Sequence, residues 1–243
     1  MSRWWVLVAL CFAAHEACAA DASVATYQAT YRVQYKGKDA GTADFSVQYL
    51  AKEDLYEFTS RTMAKGLLKL ARPNPVVERS HFRIEGGSVR PVEFWYEDGS
   101  RSGEDNVHIV FDWQRNIATV NTAEARREMA VPAGALDRGS LQVALMRDLA
   151  TAGAPGAYSL ADDDSVSSYE YMDNGTATMA TGVGSLTTRV LTQQRAGSSR
   201  LTSLWLAPNL KFLPVRIEQR RDGEVQTAFT LVSVKGLDAS TAR

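Results

Sequence analysis

Hydrophobic and polar positions alternate along most of this chain with a period of two. Tyr27, Tyr31, Val33 and Tyr35 share one face of the stretch 27–35, and Ala43, Phe45, Val47 and Tyr49 share one face of the next. Such alternation marks a half-buried strand. The intervening Lys36-Gly37-Lys38-Asp39-Ala40-Gly41 reads as a turn, so the chain opens as a meander. Further strands are expected at 55–61, 76–84, 89–96, 107–113, 117–121, 167–172, 186–192, 201–206, 213–220 and 225–234. The dipeptides Gly86-Gly87, Asp98-Gly99, Asn174-Gly175 and Asp222-Gly223 fall between runs of this kind. They supply the positive φ angles that tight hairpin turns need.

Two segments depart from the alternation. In 140–150, Leu141, Leu145 and Leu149 recur at i, i+4 and i+8, which predicts an amphipathic helix with an apolar stripe. Asp137 or Ser140 is placed to cap its start, and Gly153 to end it. In 63–72, closed by Pro73-Asn74-Pro75, apolar residues interleave with basic ones and β-branched side chains are absent. This is a loop or short helix crossing between strands. Leu67, Leu68 and Leu70 beside Lys65, Lys69 and Arg72 could touch a membrane surface, a lipid or a protein partner. The plainer alternative is a loop tucked over one end of the sheet.

The first 20 residues have a different character. Arg3 precedes an apolar run of about ten residues, and small residues around Ala17-Cys18-Ala19-Ala20 follow, the layout of a cleaved secretory signal. The run is shorter than the ~20 residues a membrane-spanning helix needs. The expectation is therefore a periplasmic mature chain, 21–243, forming a single β-rich domain with no transmembrane segment. Cys11 and Cys18 both fall in the signal. Neither sits in a convincing lipid-attachment context, and the mature chain has no thiol for a disulfide, a metal site or a nucleophile.

Charge and motif content narrow the chemistry. The formal net charge of −1 argues against nucleic-acid binding. His81 and His108 each lie in an expected strand, without metal partners at motif spacing. No Gly-x-Ser-x-Gly elbow and no phosphate-binding glycine loop occurs. Asp112 reads as a solvent-side turn residue, and Asp162-Asp163-Asp164 as an acidic loop lacking the spacing of a calcium site. No catalytic residue, metal site or cofactor is assigned. Trp95, Trp113 and Trp205, on separate strands, are core candidates that a curved sheet could also present to an apolar ligand.

Residues 27–234 resemble the bacterial domain-of-unknown-function family 3108. The resemblance rests on Tyr31-Arg32-Val33-Gln34-Tyr35 with Gly41, Lys65-Gly66-Leu67, Ser80-His81-Phe82, Arg90-Pro91-Val92 and Val110-Phe111-Asp112-Trp113. Asp137-Arg138-Gly139-Ser140-Leu141 and Leu213-Pro214-Val215-Arg216-Ile217 complete it. It implies export and carries over no catalytic residue. The closing stretch from Trp205-Leu206-Ala207 through Asp222-Gly223-Glu224 to Phe229 is also similar to periplasmic half-barrel proteins of the lipoprotein-carrier kind. That similarity implies a curved sheet enclosing a helix, with a concave face for acyl chains.

The expected fold is all-β dominated with one main helix. It is a single antiparallel, strongly curved half-barrel or open barrel with the helix packed on its concave face. The leading functional expectation is a non-catalytic periplasmic binding protein for an acyl chain, a lipid or a lipidated partner. Leu67, Leu68, Leu70, Trp95, Trp113, Leu141, Leu145, Leu149 and Trp205 are the candidate ligand contacts, with Lys65, Lys69 and Arg72 for an anionic headgroup. The alternatives are an envelope assembly factor that binds another protein and, third, a hydrolase with a scattered site.

Overall fold

The computed structural model describes residues 24–195 and 197–237; the expected export signal lies outside them. The first strand shows how pattern becomes packing. In β1 (Tyr27–Tyr35), Tyr27, Ala29, Tyr31 and Val33 are buried while their neighbours face water; Tyr35, at the strand end, is exposed. β2 (Lys38–Leu50) and β3 (Leu55–Ala64) continue the meander. A single helical turn, α1 (Leu68–Ala71), then leads to β4 (Val76–Glu85), β5 (Ser88–Glu97), β6 (Val107–Asp112), β7 (Ile117–Thr122), β8 (Arg126–Ala130) and the two-residue β9 (Ala135–Leu136). After the main helix α2 (Arg138–Thr151) come β10 (Tyr158–Ala161), β11 (Val166–Tyr169), β12 (Met172–Thr181), β13 (Gly184–Gln194), β14 (Arg200–Ala207), β15 (Leu213–Arg221) and β16 (Glu224–Lys235).

Thirteen strands form one antiparallel sheet in the order β12-β13-β14-β15-β16-β1-β2-β3-β4-β5-β6-β7-β8. The sheet is strongly curved and does not close, leaving β12 and β8 at its edges. A small second sheet, β11-β10-β9, pairs β9 with β10 in parallel. The expected turn at 36–41 shortens to Lys36-Gly37, and Lys38 to Gly41 belong to β2. Gly41 is required there: with φ at 148°, an added Cβ would lie 1.9 Å from the Met63 carbonyl oxygen. The strand expected at 167–172 is instead the end of β11 and the start of β12. Asn174-Gly175 is an irregularity within β12, where the register with β13 shifts, and not the hairpin turn expected.

Helix α2 packs on β3, β4 and β5. Leu141, Leu145 and Leu149 are all buried in the main core with Tyr31, Phe45, Phe58 and Phe82. A separate apolar cluster of Phe94, Ile109, Phe111 and Val120 fills the β5–β7 side. The start of α2 is held by a fully buried capping box. Asp137 accepts from the Gly139 and Ser140 backbone N–H groups at 2.8 and 2.9 Å, and the Asp137 N–H donates to Ser140 Oγ at 2.9 Å. The Ser80 hydroxyl on β4 donates to the other Asp137 oxygen at 2.8 Å, tying the cap to the sheet. Gly139 allows that approach, since a Cβ there would meet Phe58 and Ser80 at 2.7 and 2.8 Å. Both candidate caps, Asp137 and Ser140, thus act together.

Candidate functional site: a cleft beside the main helix

One flank of α2 borders a cleft of about 690 Å³, within the range of small-ligand pockets. Its apolar surface comes from Leu141 and Leu145 on α2, Leu160 on β10, and Leu204, Pro214 and Ile217 on β14 and β15. Tyr169 on β11 and Tyr171 add aromatic surface. Leu204 and Ile217 are direct cross-strand partners on β14 and β15 and so face the same side.

Charge is segregated around the cleft. Arg195, Arg200 and Arg221 line it from the β13–β15 side, while Asp162, Asp163 and Asp164 line it from the β10–β11 connection. Arg200 and Arg221 are direct partners across β14 and β15. Like charges placed opposite each other are unfavourable unless something neutralises them, and Arg221 also has Glu224 as its cross-strand partner on β16. Among the described residues neither arginine makes a salt bridge, and nor does Arg195. Arg195 and Arg200 act on the Tyr169 phenol, lowering its pKa against the larger upward push of burial.

Arg138 forms the inner part of the charged lining. It is paired with Glu78 at 3.2 Å and with Asp162 at 2.7 Å, and its guanidinium lies over the Tyr96 ring at 4.9 Å. Burial raises the Glu78 carboxyl above its ordinary value, and Arg138 opposes that rise. Arg138 is therefore held by fixed partners, whereas the three outer arginines make no salt bridge among the described residues. A smaller groove of about 410 Å³, bordered by Tyr27, Val47, Val143, Met146 and Ala150, lies on another flank of α2. It is mainly apolar and lacks the arginine cluster.

The residues singled out from sequence separate into three places. Leu141 and Leu145 line the large cleft; Leu149 is buried in the core and lines neither cavity. None of Trp95, Trp113 and Trp205 lines either cavity. Trp95 is held between His81, edge-on at 4.9 Å, and His108, stacked at 5.3 Å. His81 pairs with Glu57 at 2.9 Å and His108 with Glu93 at 2.6 Å. The fold thus brings both histidines beside one tryptophan, but neither lines the cleft. Trp113 donates its indole N–H to the Pro91 carbonyl and stacks on Phe111; Arg216 lies over Trp205. Asp112 accepts from the backbone N–H groups of Gln114 and Arg115, which makes it a turn residue.

Leu67, Leu68 and Leu70 are also outside the cleft, on the exposed α1 connection. Lys65 is paired with Asp39 at 2.6 Å and Arg72 with Asp98 at 2.7 Å. The basic groups at the cleft are instead arginines on strand ends, which the sequence reading passed over. Charged strand ends look like ordinary solvated positions until the register sets Arg200 against Arg221. Among the described residues no group of three or more His, Cys, Asp or Glu could hold a metal ion. Among them too, no helix is long and apolar enough to cross a membrane.

The architecture defines the class: an open β half-barrel with one helix on its concave side, built to hold a cleft between helix and sheet. The family described as "Protein of unknown function (DUF3108)" matches residues 30–230, and the chain belongs to that family. No curated protein matches it. Among solved structures it is similar to a β-barrel-like protein of the DUF1849 family from Brucella abortus. That match has a TM-score of 0.54 at 9% identity, covering 87% of this chain and 98% of the other. It shows a shared fold. MucB matches with a TM-score of 0.37 at 10% identity, covering 90% of this chain and 55% of MucB. MucB has also been solved in complex with MucA(peri).

Proposed function

We propose that this protein is a non-catalytic periplasmic binding protein that holds an acyl-bearing amphiphile, either a lipid or a lipidated partner, in the cleft beside α2. The observation that carries the reading is the cluster of arginines without salt bridges among the described residues, set beside a narrow apolar strip in a mainly polar cleft. Leu141, Leu145, Leu160, Leu204 and Ile217 would cover the chain, and Arg195, Arg200 and Arg221 would meet an anionic head. Burying the apolar chain contributes at about 25 cal/mol per Å² removed from water. The arginines add charge-assisted hydrogen bonds and orientation. Asp163 and Asp164, on the opposite side from the arginines, would accept a cationic group on the same head. The secretory layout read in residues 1–20 supports an envelope location for this activity.

Displacement of a fluorescent fatty acid, together with native mass spectrometry of gently extracted protein, tests the reading. A co-purifying amphiphile and probe displacement are expected. Thr202→Trp, which fills the large cleft, should abolish probe binding, while Ala150→Trp, in the smaller groove, should leave it unchanged. Absence of any bound amphiphile and of probe binding in the folded wild-type protein would reject the proposal.

A further inference from the structure

The α1 connection projects from the rim of the sheet with its apolar side chains facing out. Leu67 is 84% exposed, Leu70 75% and Leu68 38%, and no residue of α1 is buried. Isolated exposed leucines are common on soluble proteins, but three within four residues form a small apolar point that packing does not explain. The point is anchored firmly at both sides. Before it, the Lys65 N–H donates to the Ala40 carbonyl and the Lys65 ammonium pairs with Asp39. After it, Arg72 pairs with Asp98, and the Asn74 N–H donates to the Gly99 carbonyl. The leucines are therefore held outward by a fixed base.

The surroundings suit one kind of surface. Asp39 and Asp98, bonded to this segment, are engaged by Lys65 and Arg72, which also faces the exposed Asp105 at 3.9 Å, and Lys69 among the leucines makes no salt bridge among the described residues. The adjacent β1–β2 turn adds exposed Lys36 and Lys38 beside Tyr35, which is 42% exposed. An amphipathic aromatic, protruding leucines and free lysines together fit the boundary of an anionic bilayer.

The same rim carries the mouth of the cleft. Strand pairing runs along it from Ala64 with Gly41, through Tyr35 with Lys38 and with Thr227, to Arg221 with Glu224 and with Arg200. We infer that this rim docks peripherally on an anionic phospholipid surface, with Leu67 and Leu70 inserted and Lys69 at the headgroups, so that the arginine mouth of the cleft faces the membrane. This rests on the cleft reading only for its purpose; the docking itself stands on the α1 point.

Co-sedimentation of the mature chain with vesicles tests it, using phosphatidylcholine alone and phosphatidylcholine containing about one-third phosphatidylglycerol. Binding is expected to the anionic vesicles and to weaken with salt. The double variant Leu67→Ser/Leu70→Ser should bind them at least about a hundredfold more weakly, because each inserted leucine contributes at least about one decade of affinity. Lys69→Glu should weaken binding at low salt. A Leu68→Trp reporter should shift its emission to the blue on vesicle addition. The double variant should still bind the fatty-acid probe, whereas Thr202→Trp should lose the probe and keep vesicle binding, so each reading fails separately. No binding to either vesicle, or anionic-vesicle binding unchanged in the double variant, would overturn the inference. So would a photo-crosslinker at Leu68 that captures only a protein in intact cells.

Discussion

The buried carboxyl at the start of α2 should make folding stability depend on pH in an unusual direction. Asp137 is fully buried, and burial pushes its pKa up from 3.8 to about 6, despite the hydrogen bonds from Ser140, Ser80 and Gly139 that oppose the rise. In the unfolded chain the group ionises near its ordinary value. Between about pH 4 and 6 the folded state therefore holds a proton that the unfolded state has released, and the contribution of this group to stability falls as pH rises. At about 1.4 kcal/mol per pH unit, the gap from 3.8 to about 6 corresponds to about 3 kcal/mol lost between pH 4 and 7. Asp137→Asn isolates this contribution. Asparagine caps helices about as well as aspartate and can still accept from the Gly139 and Ser140 N–H groups, but it does not titrate. Urea unfolding of both proteins at intervals from pH 4 to 8 gives the difference curve directly. The wild type should lose about 3 kcal/mol relative to Asp137→Asn across that range. A flat difference curve, or one that rises with pH, would refute the reasoning and show that the cap bonds outweigh burial.

Three further changes probe the fold and the cleft wall. Gly139→Ala should destabilise by about 1–3 kcal/mol in chemical unfolding, although alanine favours helix, because its Cβ would press on Phe58 and Ser80. Tyr31→Phe removes the 2.8 Å hydrogen bond from the buried phenol to the Pro214 carbonyl and should cost about 1–3 kcal/mol by the same measurement. Arg138→Met leaves Glu78 and Asp162 without their cation, so the Glu78 pKa rises further. A raised carboxyl contributes stability at low pH that is lost as pH rises through its folded pKa, so this variant should be weaker than wild type by about 3–5 kcal/mol at pH 7 and by less at pH 4.5. An equal deficit at both pH values would show that lost packing on Tyr96, and not charge, dominates.

Strands with one buried face were legible in sequence, because burial is what imposes alternation. That holds for β1, where Tyr27, Tyr31 and Val33 enter the core, and for α2, whose stripe of Leu141, Leu145 and Leu149 is wholly buried. The edge strands were not legible for the opposite reason. β8, Arg126–Ala130, and β12, Met172–Thr181, have almost no buried side chains, so nothing in their sequences separates inside from outside. β9 and β10 are too short to show a period. The cleft was half legible. Leu141 and Leu145 were recognisable from helical spacing, but Arg195, Arg200 and Arg221 come together only through strand register. The tryptophans misled because large aromatics suit a ligand wall and a strand surface equally well; Trp95 is occupied by His81 and His108.

The pairing of β16 with β1 has a consequence for how the chain is assembled. Every other neighbouring pair in the thirteen-stranded sheet joins strands that follow one another in sequence; here Gln28 meets Lys235 at opposite ends of the chain. β1–β8 and β12–β16 are thus two zippers that can form locally, joined by one seam that cannot close until the last strand is available. The seam carries the highest loop-closure entropy in the fold and should set the folding rate. A chain threaded unfolded through a membrane, N-terminus first, would expose the β1 edge to the end of its passage. Joining residues 24 and 237 by a short linker and opening the chain between β8 and β12 would turn the whole large sheet into one uninterrupted meander. That circular permutant should fold faster than the natural order, with the same final sheet.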